Sequence, residues 1–412
     1  MPSYPYQQGI STLVNHFEEG DNPEYAHLTP IYQTSSFRFP DVATGQAIED
    51  GLQEGYIYTR LSNPNSDRLA SKIAALEGLD LLRDRPGSPV EEVVAGKLFA
   101  SGMAAITSAI LARVQAGQGI IAQSALYGNT FNFLHDIAPR LGIEVVWVEE
   151  PSHRGWLQAF ERRPDARLAY VETPVNPTLQ VVDLEAVAEI AHAHRAWLLV
   201  DNTFASPYCQ RPLSLGADVV LHSTTKFLSG HGAIVGGAVV SRHPQFIREN
   251  VQQMLVLLGA TPSPFDAWLT NLGLKTFEVR MVRHCANALH IAHYLQDHPK
   301  VERVYYPGLE SNPGYAIARR QMHCYGGLLS FELKGGLEAG AKLMDRVRVA
   351  TLVVSLGNVD TLVQHPASMT HHGVPRPERL QMGISDGLVR MSVGIENVED
   401  LIADLAQALD GV

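Results

Sequence analysis

The chain has 412 residues, 45% hydrophobic and 18% charged, with a net charge of −11. That balance suits a globular protein of one or two domains with a sizeable core. No basic block interrupts the acidic surplus, which argues against nucleic acid or acidic lipid as a partner and leaves a small molecule as the expected one.

The cysteines, Cys209, Cys285 and Cys324, are odd in number and far apart, so their spacing indicates neither a disulfide framework nor a cysteine-built zinc site. No apolar run approaches the roughly 20 residues of a spanning helix, and no basic segment precedes an apolar core near Met1. The expectation is a soluble protein of the reducing cytoplasm.

In chain order, residues 1–62 are rich in Tyr, Gln, Pro and Gly with little periodicity, and read as an arm that contacts a neighbouring subunit. Ser62-Asn-Pro-Asn-Ser66 carries turn and cap signals, after which Leu69, Ile73 and Leu76 repeat at helical spacing up to Gly78. Asp80 to Lys97 has turn chemistry and reads as a surface excursion. From Leu98 strands alternate with helices: strands at 98–100, 119–122, 144–148, 168–172, 196–201, 218–221 and 237–240, and helices over 103–114, 130–140 and from Asp183 to about 194. The alternation predicts an α/β domain over residues 63–255 with a mainly parallel sheet. Beyond it, long helical stretches at 267–296 and 338–349, short strands at 327–332 and 388–392 and a final helix at 398–409 predict a smaller α+β domain over 256–412.

Ligands of such sheets bind beyond the carboxyl ends of the strands, where Glu172, Asp201 and Ser223 should converge. Lys226 follows the apolar strand and sits among Ser223, Thr225 and a glycine-rich turn. Burial there lets an amine lose its proton and form a Schiff base. Asp201 ends an apolar strand and either caps a loop or pairs with a protonated ring nitrogen of an aldehyde cofactor. Ser101-Gly102-Met103 opens a helix and can offer backbone N–H groups to a phosphate, as many strand-to-helix turns can. Tyr127 can stack on a planar ring and transfer protons, or can simply pack. Arg390, inside an apolar strand, asks for a carboxylate, which either a substrate or a structural Asp or Glu could supply. His192 and His194, two apart on a helix, cannot face one ion, and His371 and His372 are adjacent, so no metal site is expected.

Together these segments resemble the pyridoxal-phosphate enzymes of cysteine and methionine metabolism. The matching stretches include Tyr56-Ile-Tyr58-Thr-Arg60, Ser101-Gly102-Met103, Leu126-Tyr127-Gly128, Glu172-Thr-Pro-Val-Asn176-Pro177, Asp201-Asn-Thr203, Ser223-Thr-Thr-Lys226, Ser355-Leu-Gly357 and His365 through His371. The resemblance implies the aspartate-aminotransferase-like fold of fold type I pyridoxal enzymes. It implies that Lys226 holds pyridoxal 5'-phosphate and serves as the catalytic base, that Asp201 pairs with the ring nitrogen, and that Tyr127 stacks on the ring and acts as acid/base. Gly102, Met103, Ser223 and Thr225 would hold the phosphate, with Ser101 and Thr203 beside the cofactor and Tyr58 and Arg60 reaching in from the neighbouring subunit of a homotetramer. Asn176 would lie near the phenolic oxygen, and Ser355 and Arg390 would hold the substrate carboxylate.

Within the family the C-terminal third is most similar to methionine γ-lyase. The implied reaction is γ-elimination from L-methionine to 2-oxobutanoate, ammonia and methanethiol. O-acetylhomoserine or O-succinylhomoserine sulfhydrylation by γ-replacement is the alternative, and cystathionine γ-lyase or synthase chemistry a further one. Val354 is uncharged where cystathionine γ-lyases place a carboxylate. Asn129 stands where methionine γ-lyases usually carry cysteine, and Ala233 where they carry aspartate.

Overall fold

Runs of valine, leucine and isoleucine bounded by turn residues form the strands of one sheet, β1 (Ala95–Phe99), β2 (Gly119–Gln123), β3 (Glu144–Val148), β4 (Leu168–Glu172), β5 (Trp197–Asp201), β6 (Val219–Ser223) and β7 (Gly237–Ser241). The computed structural model describes residues 9–412 apart from Asp21, Pro23, His371 and Met382. The strand order is β1-β7-β6-β5-β4-β2-β3, with β7 antiparallel to both neighbours and the remaining pairs parallel. Side chains alternate across this sheet, so Leu168, Tyr170 and Leu199 enter one apolar cluster while Ala169, Val171, Leu198 and Val200 enter the other. Burial on both faces explains the near-continuous apolar strands.

A second sheet contains β8 (Val301–Tyr305), β9 (Leu328–Leu333), β10 (Thr351–Leu352), β11 (Leu362–Gln364) and β12 (Leu388–Ser392), in the order β10-β11-β12-β9-β8. Only β10 and β11 pair in parallel. The helices Phe277–Gln296 and Val398–Asp410 pack on one another, and the former also packs on β8 and β9.

Several expectations are corrected. Residues 80–97 are not a surface excursion throughout: short helices form at Leu79–Arg83 and Val90–Val93, and Leu82, Val90, Val93 and Val94 are buried. Asp80 is anchored to the buried Arg211 guanidinium at 2.6 and 3.1 Å, while Arg83–Gly87, Pro89, Glu91 and Glu92 are exposed. The stretch 267–296 is two helices, Pro264–Leu274 and Phe277–Gln296. The N-terminal segment, expected to be irregular, contains helices Ile10–His16 and Val42–Glu49. The first of these docks on its own chain: Leu13 and Val14 are fully buried, Asn15 donates to Lys275 O at 3.1 Å, and Lys72 Nζ meets Glu19 at 2.7 Å. Helix His153–Arg162, absent from the sequence expectation, buries Trp156, Ala159 and Phe160 at helical spacing.

Candidate active site

Parallel pairing of β4 with β5 sets Glu172 directly opposite Asp201 at the carboxyl edge of the large sheet. Both carboxyls are buried, and burial is the first cause that raises each above the ordinary carboxylate range. For Glu172 the neighbouring Asp201 charge adds to it, taking the group to about 8, against the N–H groups of Tyr127 and Asn176. For Asp201 the Thr203 hydroxyl, the Thr203 N–H at 3.0 Å and the charge of His222 act in the opposite direction. Two acids this close in a low dielectric call for a cation, and a protonated ring nitrogen is one.

Lys226 lies just past β6. Its amine donates to Ser355 Oγ at 3.3 Å and is pushed down to about 8, first by burial and then by the positive charge of Arg390. The Ser355 loop comes this close because Gly357 adopts φ +80 against the Lys226 backbone, where a Cβ would stand 2.6 Å from Phe227 N. Arg390, on β12, is buried. It donates to Ser355 O at 2.7 Å and to Asn176 Oδ1 at 3.1 Å, and the Gln364 amide, turned with its oxygen inward, accepts from Nη1 at 3.2 Å and Nε at 3.3 Å. All of these partners are neutral, and burial alone lowers Arg390 to about 10.

Asn176 N donates to Glu172 Oε1 at 3.0 Å and Tyr127 N to Glu172 Oε2 at 2.8 Å, while Asn129 Nδ2 donates to the Tyr127 hydroxyl at 2.9 Å. One continuous hydrogen-bonded chain therefore runs from Lys226 through Ser355, Arg390, Asn176, Glu172 and Tyr127 to Asn129. Beside Asn129 opens a cleft of about 1390 Å³, also lined by Phe131, Thr178 and Thr370, although Lys226 itself is not on its wall.

The opposite flank offers a cradle. Ser101 caps helix Gly102–Arg113 by accepting from Ala104 N at 3.1 Å, and the helix starts against Ser223, whose Cβ would lie 3.0 Å from a Cβ on Gly102. Met103 follows in the first turn, and Thr203 Oγ1 accepts from Ser223 N at 2.9 Å. Thr225 Oγ1 is shared with Gly236, accepting from its N–H at 3.0 Å. Free backbone donors at a helix start, with hydroxyls alongside, suit a phosphate.

Tyr58 and Arg60 have their contacts elsewhere: the guanidinium lies 5.5 Å from the Tyr58 ring centroid, Arg60 donates to Val256 O at 3.2 Å, and both residues are exposed. Val354, beside Ser355, is 57% exposed. His192 pairs with Asp218 at 2.9 Å and His194 turns to Ile190 O at 3.0 Å, while His371 lies outside the described residues.

A family model described as Cys/Met metabolism PLP-dependent enzyme matches residues 11–410. The chain belongs to this family. It is 45% identical over 407 residues to an L-methionine gamma-lyase of Fusobacterium nucleatum subsp. nucleatum, covering 98% of this chain and 99% of that one. It is 37% identical to an O-acetyl-L-homoserine sulfhydrylase of Leptospira meyeri, covering 96% and 95%. The fold superposes with TM-score 0.89 on the crystal structure of cystathionine gamma synthase from Xanthomonas oryzae pv. oryzae in complex with aminoacrylate and cysteine, at 37% identity and 98% of each chain. The fold is thus that of the family's pyridoxal-phosphate enzymes, and the lysine, the paired carboxylates and the glycine-rich cradle fit that cofactor.

The sequence alone places Glu172 at the sheet edge without assigning it to the site, and gives no role to Gln364 or to the buried Glu77–His222 pair. Glu77 accepts from His222 Nε2 at 2.5 Å and from Asn202 Nδ2 at 2.8 Å, behind Asp201. A charged residue late in an amphipathic helix gives no signal of such a partner. Gln364 faces Arg390 only because β11 pairs with β12.

Proposed function

We propose that this enzyme catalyses γ-elimination on L-methionine or a close homocysteine derivative, releasing a thiol, ammonia and a 2-oxoacid. The observation that carries it is Arg390: a buried guanidinium whose partners among the described residues are all neutral, beside the Lys226 amine, is where a substrate α-carboxylate finds a charged anchor and its α-carbon a base. The uncharged Val354 next to Ser355 favours an apolar substrate tail, and the L-methionine gamma-lyases among the relatives support the same choice of leaving group.

Pyridoxal phosphate, when bound, supplies an electron sink for the carbanion at the substrate α-carbon. Lys226 would hold it covalently, Asp201 would keep the proton on its ring nitrogen, and Gly102, Met103, Ser223 and Thr225 would bind its phosphate, with Ser101 and Thr203 bracing that cradle. Asn176 would face the phenolic oxygen. Arg390 and Ser355 orient the substrate so that its α-proton points at Lys226. With its amine lowered to about 8, Lys226 can take that proton and later move one at the β-carbon near neutral pH. Tyr127 would lie against the cofactor ring and serve as the acid for the departing sulfur, its hydroxyl held by Asn129.

We further propose a cytoplasmic homotetramer built from dimers in which Tyr58 and Arg60 complete the phosphate site of the neighbouring copy. Residues 1–62 would act as the arm, 63–255 as the cofactor domain and 256–412 as the C-terminal domain. The exposure of Val42, Leu52, Leu257 and Leu258 supports apolar contact between copies. Incubation with methionine and assay of 2-oxobutanoate tests the activity. Absence of product together with rapid sulfide-dependent consumption of O-acetylhomoserine would overturn it in favour of the sulfhydrylase, a reading that Asn129 and the Leptospira meyeri relative support.

A further inference from the structure

Cys209, Cys285 and Cys324 are the only cysteines of the chain, and the spacing argument against a cysteine site fails because the fold brings all three together. Cys209 ends the short helix Ser206–Cys209 beyond β5, Cys285 lies within helix Phe277–Gln296, and Cys324 lies in the turn before β9. Their Sγ atoms are 3.8 Å apart for Cys209 and Cys285, 3.2 Å for Cys285 and Cys324, and 3.0 Å for Cys324 and Cys209. Cys209 is fully buried and the other two are partly so.

The backbone around the triangle is braced. His323 N donates to Cys209 O at 2.7 Å, and the Tyr306 hydroxyl donates to Gly326 O at 3.0 Å. The buried Arg211, which holds Asp80, also meets the ring of His323, the residue before Cys324, so a guanidinium is held on that side of the cluster.

Thiols are weak donors and weak acceptors, so three of them crowded together satisfy one another poorly. A disulfide needs two sulfurs at about 2.04 Å and would leave the third unused. A cation at the centre uses all three: with metal–sulfur bonds of about 2.3 Å in a plane, the sulfurs stand about 4.0 Å apart. The observed edges reach that by opening about 0.2 to 1.0 Å, a side-chain adjustment. Among the described residues no fourth histidine, cysteine or carboxylate ligand joins the cluster. Structural zinc takes four ligands, whereas all-thiolate sites select soft ions such as Cu(I).

We propose that Cys209, Cys285 and Cys324 form a three-coordinate thiolate site for a soft monovalent cation of the Cu(I) class, separate from the cofactor pocket. On binding, each thiol releases its proton to solvent and each sulfur forms one bond to the cation, with no change of oxidation state. The bound ion ties the segment after β5 to helix Phe277–Gln296 and to the turn entering β9, linking elements on both sheets.

The test uses holoenzyme purified without oxygen, with Cu(I) delivered from a chromophoric chelator. Expected are one Cu(I) retained per chain, a new near-ultraviolet thiolate-to-metal band and a higher thermal midpoint. Both Cys285→Ser and Cys324→Ser should lose the band and the shift, with circular dichroism checking that they fold. Failure of the wild-type chain to compete with the chelator, or retention of the ion by both variants, would overturn the proposal. So would a count of one thiol rather than three after anaerobic unfolding of the metal-free protein, because that means a disulfide.

Discussion

The amine of Lys226 is held at about 8 rather than 10.5 by burial and by Arg390, and this fixes how the apoprotein should capture its cofactor as pH changes. The drop is worth about 3 kcal/mol of preference for the neutral amine, the form that attacks an aldehyde. Raising the pH from about 6.5 to about 8.5 takes the neutral fraction from about 3% to about 76%, a gain of about 25-fold, and a further rise to about 9.5 adds only about 1.3-fold. An ordinary lysine would instead gain nearly tenfold in that last step, in the same arithmetic. The assay mixes apoprotein with pyridoxal phosphate across this range, follows loss of the free-aldehyde absorbance, and traps the product with borohydride for mass analysis. A capture rate still climbing about tenfold between those last two pH values would refute the claim that this pocket lowers the amine.

Arg390→Lys removes a buried fork that fits a carboxylate, so KM for methionine should rise about 10- to 100-fold, the equivalent of about 1.5–3 kcal/mol, with kcat moving less. Steady-state kinetics check it, and an unchanged KM would place the substrate carboxylate elsewhere. Asn129→Ala deletes the 2.9 Å bond to the Tyr127 hydroxyl and should lower kcat for elimination about fivefold, from about 1 kcal/mol of lost positioning, with KM little altered. Val354→Glu should shift the ratio of kcat/KM values for cystathionine over methionine upward by about tenfold, because a carboxylate can meet a distal ammonium. Glu172 has its folded value raised to about 8 from 4.5, so between those values the folded apoprotein binds more protons than the unfolded chain. Its stability should therefore fall as pH rises through that window, and Glu172→Gln should flatten the slope in denaturant titrations.

The parts of the site that sequence reading located are those carried by local pattern. Asp201 ends one apolar strand and Lys226 lies three residues past another, and a charge in either position points beyond the sheet edge whatever the rest of the chain does. Arg390 was legible as a misfit within an apolar strand, which demands an explanation without naming the partner. What escaped depends on pairing between distant segments. Gln364 faces Arg390 by strand register, Glu77 meets His222 across 145 residues, and the cysteines converge across 115. Short helices such as Val90–Val93 escaped for another reason: one turn is too brief to show a period, and the turn-forming residues of 83–89 masked the buried valines behind them.

Arg390 lies on β12, the last strand, only a helix away from Val412, whereas Lys226 and Asp201 lie in the middle of the chain. A ribosome therefore exposes the proposed attachment point of the cofactor well before the residue proposed to anchor the amino acid. A chain cut before β12 would keep the segments that carry Lys226 and Asp201 and lose the guanidinium proposed to hold the substrate carboxylate. Attachment of the cofactor and recognition of the amino acid are thus assigned to separate stretches of the chain, the second translated after the first.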